Sequence, residues 1–155
     1  MGQEDRAMRV YFAHPCFTDG QREFKELFLA GMSAALRGHM VLVDPFEHTP
    51  LVEGPDRDLK VLMAGEIKSR CLMLLDECDV LIALADDADT GTAFEMGYAH
   101  AIGKPVILIS RGDCREANAM LIGAAEAMID NVLVREQIQK LVRVLQELDG
   151  TQQAT

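Results

Sequence analysis

Tryptophan is absent from this 155-residue chain, and aromatic residues make up only 5 % of it. Platforms that stack sugars or single-stranded nucleic acid are built from such rings, so both classes lose their usual material. Basic side chains are in the minority as well: 15 Lys and Arg against 25 Asp and Glu leave a formal net charge of −10. That balance argues against a duplex-DNA or RNA binder, which displaces counterions with basic patches, and against docking on anionic lipid. Long apolar runs are missing too. The longest, Val80 to Ala85, is far too short to span a bilayer, and no secretory signal is expected, because no basic segment runs into an apolar one. Cysteine is sparse. Cys16, Cys71, Cys78 and Cys114 form no C-x-x-C pair and have no histidines at zinc spacing, so free thiols in a reducing cytoplasm and no metal site are expected. The chain carries no G-x-G-x-x-G after its first strand and no G-x-x-x-x-G-K-[ST], which removes the dinucleotide and P-loop fingerprints. No Ser or Cys sits in a triad signature.

What is present reads as one globular domain, 1–155, with 49 % hydrophobic residues, enough for a core without staples. Residues 1–7 and 149–155 read as loose tails. Apolar runs at Met8 to Phe12, Met40 to Val43, Val80 to Ala85 and Pro105 to Ser110 have the continuous pattern of strands covered on both faces. A fifth strand is expected at Asn131 to Val134. Between them lie helical spacings: Thr18, as cap, to a stop at Gly38; Asp56 to Glu77; Thr92 to Ile102; Asn118 to Met128; and Glu136 to Leu148. Phe46 to Pro55 reads as a loop. Strands alternating with helices predict a doubly wound parallel α/β sheet with helices on both faces, in the flavodoxin-like order 2-1-3-4-5. The nine methionines read mostly as core filler.

In such a sheet ligands bind at the carboxyl ends of the strands, and two segments there carry chemistry. Asp87 to Glu95, D-A-D-T-G-T-A-F-E, gathers carboxylates on one loop and places a glutamate in the next helix. Thr92-x-x-Glu95 fits a capping box, in which the glutamate merely bonds back to the cap. The functional alternative is that the helix N-terminus lowers the Glu95 pKa and leaves an ionised nucleophile. Asp89 would stand beside it as proton donor, in the two-carboxylate manner of glycosidic cleavage. The second segment is V-Y-F-A-H-P-C-F-T-D. Tyr11 reads either as core or as a group that reaches across to orient Glu95. His14, a lone loop histidine, reads as a surface residue.

These residues resemble the nucleoside 2-deoxyribosyltransferases and their relatives, the 2′-deoxynucleoside 5′-phosphate N-hydrolases. Three collinear blocks carry the resemblance: Tyr11, Ala13, Pro15 and Phe17; then Asp79-Val80, Asp89-x-Gly91-Thr92-x-x-Glu95-x-Gly97-Tyr98-Ala99 and Gly103-Lys104-Pro105-Val106; and finally Asn118-x-Met120. The resemblance implies that Glu95 attacks C1′ of a 2′-deoxynucleoside, displaces the base and forms a covalent deoxyribosyl-enzyme. A second free base then takes the sugar with net retention. It implies that Tyr11 holds Glu95, that Asp89 contacts and protonates the base, and that Phe17, Cys71 and Gly91 line the substrate site. Cys71 stands where many members carry Asp. Asn118 and Met120 match residues that complete a neighbouring subunit's site, which implies a homo-oligomer. No cofactor is implied; the partners are a small-molecule deoxynucleoside and a nucleobase, with no nucleic acid polymer and no membrane. An N-glycosidase acting on 2′-deoxynucleoside 5′-monophosphates is the alternative, and a non-catalytic nucleoside-sensing module is another. The carboxylates at Asp86, Asp87 and Asp89 would repel a phosphate, whereas the run from Ala119 to Ala125 looks more like the hydrolase branch.

Overall fold

Five short apolar runs pair side by side in the computed structural model, which describes residues 6–36, 38–50 and 56–153. They are β1 (Met8–Ala13), β2 (Met40–Val43), β3 (Val80–Leu84), β4 (Val106–Ile109) and β5 (Ala127–Ile129). All pair in parallel, in the order β2-β1-β3-β4-β5. Parallel neighbours need crossovers, and four helices supply them: α1 (Asp19–Ala35), α2 (Arg57–Glu77), α3 (Thr90–Ala101) and α4 (Ala119–Ala124); α5 (Arg135–Gln153) follows the last strand. The chain is thus the flavodoxin-like α/β domain that its strand pattern predicts. None of the described helices is long and apolar enough to cross a membrane.

Side chains alternate across the sheet, and the alternation builds two cores. Val10 and Phe12 point to the face covered by α1 and α5, with Phe24, Phe28, Ile82, Ile107 and Leu141. Gly31 lets those helices touch, since a Cβ there would stand 2.5 Å from Ile138 Cδ1. Tyr11 and Ala13 point the other way, into a core shared with Leu75, Leu81, Met96 and Leu108. The alternation therefore sends Tyr11 toward α2 and α3. The chain leaves β1 toward β2 on one side and leaves β3 toward β4 on the other, so a crevice opens at the carboxyl ends of β1 and β3.

Some boundaries differ from expectation. The last strand is Ala127–Ile129, not Asn131 to Val134, and α4 stops at Ala124 rather than running to Met128. The reason lies just past β5: Asp130 bonds the Cys114 amide (2.8 Å) and Asn131 adopts a left-handed φ of 48°, so the chain turns after Ile129. Gly38 does not close α1. That helix ends at Ala35 with Leu36 as cap, and Gly38, at φ +75°, serves the turn into β2. α5 runs through Gln153, so positions 149–153 are helix and not a loose tail. At the other end Arg6 pairs with Asp79 at 2.6 Å. The loop expected at Phe46 to Pro55 begins with a 3-10 turn, Pro45–Glu47; its residues 51–55, like 1–5 and 154–155, lie outside the described residues.

Candidate functional site

The carboxyl ends of β1, β2 and β3 border a cavity of about 510 Å³. Phe17 and Phe46 form one wall, Ile67 and Cys71 of α2 another, and Asp89, Gly91, Phe94 and Glu95 close it from the start of α3. Of the residues singled out in the sequence, Phe17, Cys71, Asp89, Gly91 and Glu95 line this one space, with Tyr11 buried beneath it.

The central contact is a hydrogen bond from the Tyr11 hydroxyl to Glu95 Oε2, made between residues 84 positions apart. It shows where the Tyr11 hydroxyl goes and that Glu95 is not spent on capping its helix. The tyrosine is both core and tether: its ring is fully buried, and its hydroxyl takes the carboxylate as its partner. Glu95 closes no capping box. Asp89 is the cap of α3, with Oδ2 accepting from Thr92 N and Thr92 Oγ1, both at 2.8 Å, so Glu95 lies well inside the helix.

That placement also corrects the expected electrostatics. The helix terminus does not leave Glu95 with a lowered pKa. Burial pushes its carboxyl up to about 7; the Tyr11 bond pulls the other way, and the Asp89 carboxylate adds to the rise. Burial and the neighbouring Glu95 likewise hold the Tyr11 hydroxyl and the Cys71 thiol above their ordinary ranges. Glu95 is poised to change charge near neutrality, held by a phenol that stays protonated.

His14 is a second correction. Its side chain is fully buried rather than at the surface: Nε2 lies 3.1 Å from Asp44 Oδ1 and Nδ1 3.1 Å from the Pro15 carbonyl. Asp44 Oδ2 is 2.6 Å from Lys25 Nζ, a charge contact without hydrogen-bond alignment. Burial alone would raise the Asp44 pKa, but His14 and Lys25 override it and hold the carboxyl down at about 2. Asp44 also accepts from the Phe46 amide (3.0 Å), and Phe46 meets Phe17 edge-on at 6.0 Å. This buried cluster thereby fixes the aromatic wall. Sequence patterning missed it because a histidine and an aspartate 30 positions apart give no local signal; the shared carboxyl-end location of β1 and β2 was the one available clue. Phe46 and Phe94, with no methionine, join Phe17 as apolar surface in the cavity.

Asn118 and Met120 are not brought to Glu95. They border a larger, open hollow of about 1020 Å³ between α3 and α4, on the far side of Asp89 and Thr90. Asn118 caps α4 through Met120 N (2.8 Å), and Met120 stands 80 % exposed. Their hollow is the bigger of the two, but Glu95 is not part of its wall.

The profile of the family described as nucleoside 2-deoxyribosyltransferase matches residues 10–133. A search of curated protein sequences finds no match. Among solved structures, a 2-deoxyribosyltransferase from Bacillus psychrosaccharolyticus aligns with TM-score 0.61 and 23 % identity, over 84 % of this chain and 90 % of that one. A conserved protein from Enterococcus faecalis V583 gives 0.61 and 19 %, over 86 % and 96 %. The CMP N-glycosidase of Clostridium botulinum gives 0.53 and 16 %, over 88 % and 98 %. At these identities the structures speak for the shared fold.

Proposed function

The chain belongs to the nucleoside 2-deoxyribosyltransferase family, and from that premise we propose that it exchanges the base of 2′-deoxynucleosides, with Glu95 as nucleophile. The observation that carries the reading is the Tyr11–Glu95 hydrogen bond at the edge of a mainly apolar cavity of about 510 Å³.

In the proposed reaction an ionised Glu95 oxygen attacks C1′ as the bond to the base nitrogen breaks. The electron pair leaves with the base, which is protonated by Asp89, and a deoxyribosyl ester forms on Glu95. Asp89 suits this place because Oδ2 is committed to Thr92, while Oδ1 makes no hydrogen bond among the described residues. An incoming base nitrogen then attacks C1′ from the vacated face, returns its proton to Asp89 and regenerates the carboxylate. Tyr11 orients Glu95 and stabilises its charge before attack. Phe17, Phe46 and Phe94 supply apolar surface for the base. Asn118 and Met120, exposed and bordering a different hollow from their own chain's Glu95, would complete the site of a second copy in a homo-oligomer.

One observation favours the hydrolytic alternative, cleavage of 2′-deoxynucleoside 5′-monophosphates. Lys60 and Lys68 of α2 line the cavity and have no ion-pair partner among the described residues, and unpaired cations suit a phosphate. Incubation with deoxyinosine and free adenine separates the readings. Deoxyadenosine that forms with the wild type and vanishes in Glu95→Ala supports transfer. Base release without exchange, fastest from the 5′-monophosphate, replaces transfer with hydrolysis. Binding without turnover of either substrate leaves a sensing module.

A further inference from the structure

Gln21, in the first turn of α1, joins the two loops on either side of the cavity mouth. Its Oε1 accepts from the backbone amides of Phe17 (2.8 Å) and Thr18 (3.1 Å), while Thr18 Oγ1 accepts from Gln21 N (3.2 Å). That is a complete capping box, and a glutamate would serve it equally well. Only the amide can also donate. Its Nε2 reaches 3.1 Å to Asp87 Oδ2, in the loop after β3 and 66 positions away. The loop it meets is strained: Asp87 and Ala88 both take left-handed φ values, 67° and 46°. Aspartate tolerates that conformation but alanine does not favour it, so the loop needs an outside hold. Asp89 follows directly and borders the cavity opposite Phe17, whose own amide Gln21 binds.

We propose that Gln21 is a positioning residue, a strut across the cavity mouth that sets the spacing between the Phe17 loop and the Asp87–Asp89 loop for substrate binding. Tyr11 and Glu95 are anchored independently, from the sheet and from within α3. The strut therefore leaves the nucleophile in place and acts through the two loops it joins, on binding at the Phe17 wall and on the placement of Asp89. The proposal rests on the reading of this cavity as the active site.

Three variants test it: Gln21→Glu, Asp87→Asn and the two together. Gln21→Glu keeps the capping box and gains from negative charge at a helix N-terminus, so Tm holds or rises. It also sets two carboxylates face to face, and KM for the deoxynucleoside rises about 3- to 10-fold, any fall in kcat reporting the displaced Asp89. Asp87→Asn alone keeps an acceptor and a residue suited to left-handed φ, and turnover stays near wild type. The double variant reverses donor and acceptor and returns KM toward wild type. Hydrogen exchange of the peptide 86–92, which needs no substrate, quickens in Gln21→Glu and recovers in the double variant. Unchanged exchange with unchanged KM, or a KM rise that Asp87→Asn does not rescue, overturns the strut. The predicted exchange pattern in a protein that turns over no deoxynucleoside keeps the strut and removes the substrate reading beneath it.

Discussion

Tyr11 and Glu95 meet across the molecule: a strand residue buried in the sheet donates its hydroxyl to a carboxylate held inside α3. One partner would be a costly buried group without the other. Together they place a titratable acid of pKa about 7 beside the cavity. This pair is the basis of the predictions that concern chemistry.

Activity should fall as pH drops through about 7, because attack needs the ionised Glu95. The Tyr11 bond favours the ionised form, so Tyr11→Phe should move this acidic limb to higher pH. A hydrogen bond to a charged group amounts to about 1.5–3 kcal/mol, so kcat/KM at neutral pH should drop about 10- to 100-fold. A pH–rate profile of the two proteins checks both. An unmoved limb would separate Tyr11 from Glu95 ionisation.

The same raised pKa makes Glu95 a stability liability. The group ionises at about 7 when folded against an ordinary 4.5, so its folded form is favoured at low pH and penalised above about 7. Glu95→Gln should therefore raise stability by about 1–3 kcal/mol at pH 8, with the gain shrinking as pH falls toward 4.5. Thermal melts of wild type and variant at both pH values test this, alongside the loss of activity in the same variant.

Asp44 has the opposite sign. Held down at about 2, it contributes stability above the ordinary carboxylate range, and that contribution is lost as pH falls through about 2. Asp44→Ala leaves His14 and Lys25 without their carboxylate and removes the bond to the Phe46 amide. A loss of about 3–5 kcal/mol in urea unfolding is expected. Asp44→Asn, which still accepts from Phe46, should lose less.

How much of this was legible in the sequence follows from the range over which each signal acts. β3 and β4 are buried along their whole length, and their unbroken apolar runs announce them. β5 has three residues and only Ile129 buried, so a neighbouring apolar stretch outweighed it. Tyr11, Asp89 and Glu95 each stand in short motifs that resemble a known family's, while spacing alone left Tyr11 and Glu95 open; the fold brings the three side chains together. The raised pKa of Glu95 was not legible, because the cap at Asp89 and the depth of burial appear only once α3 is docked on the sheet. The partnership of His14 with Asp44 needs β1 and β2 side by side, which no local pattern encodes.

Cys71 offers a check on the cavity's electrostatics. A thiol there, raised by burial and by Glu95, carries no charge at neutral pH. Cys71→Asp would add a second carboxylate near Glu95 and should move the acidic limb further up, whereas Cys71→Ser should leave it in place. Equal limbs in all three proteins would show that position 71 does not sense Glu95.

The proposed completion of one copy's site by Asn118 of another predicts complementation between subunits. Glu95→Ala and Asn118→Gly should each be inactive alone; glycine at 118 costs the α4 cap only a few tenths of a kcal/mol. Co-refolded in equal amounts as a dimer, they should recover about a quarter of wild-type exchange, from mixed pairs with one intact site. No recovery in a mixture shown to contain heteromers would place Asn118 outside the reaction.

The most direct test of the central claim is to trap the intermediate. The protein, incubated with a 2′-deoxynucleoside and no acceptor base, is quenched in acid and digested, and its peptides are weighed by mass spectrometry. The account predicts a deoxyribosyl group esterified to Glu95, which free adenine discharges and which Glu95→Gln cannot form. Base release with the Glu95 peptide unmodified, and with turnover surviving in Glu95→Gln, would contradict it.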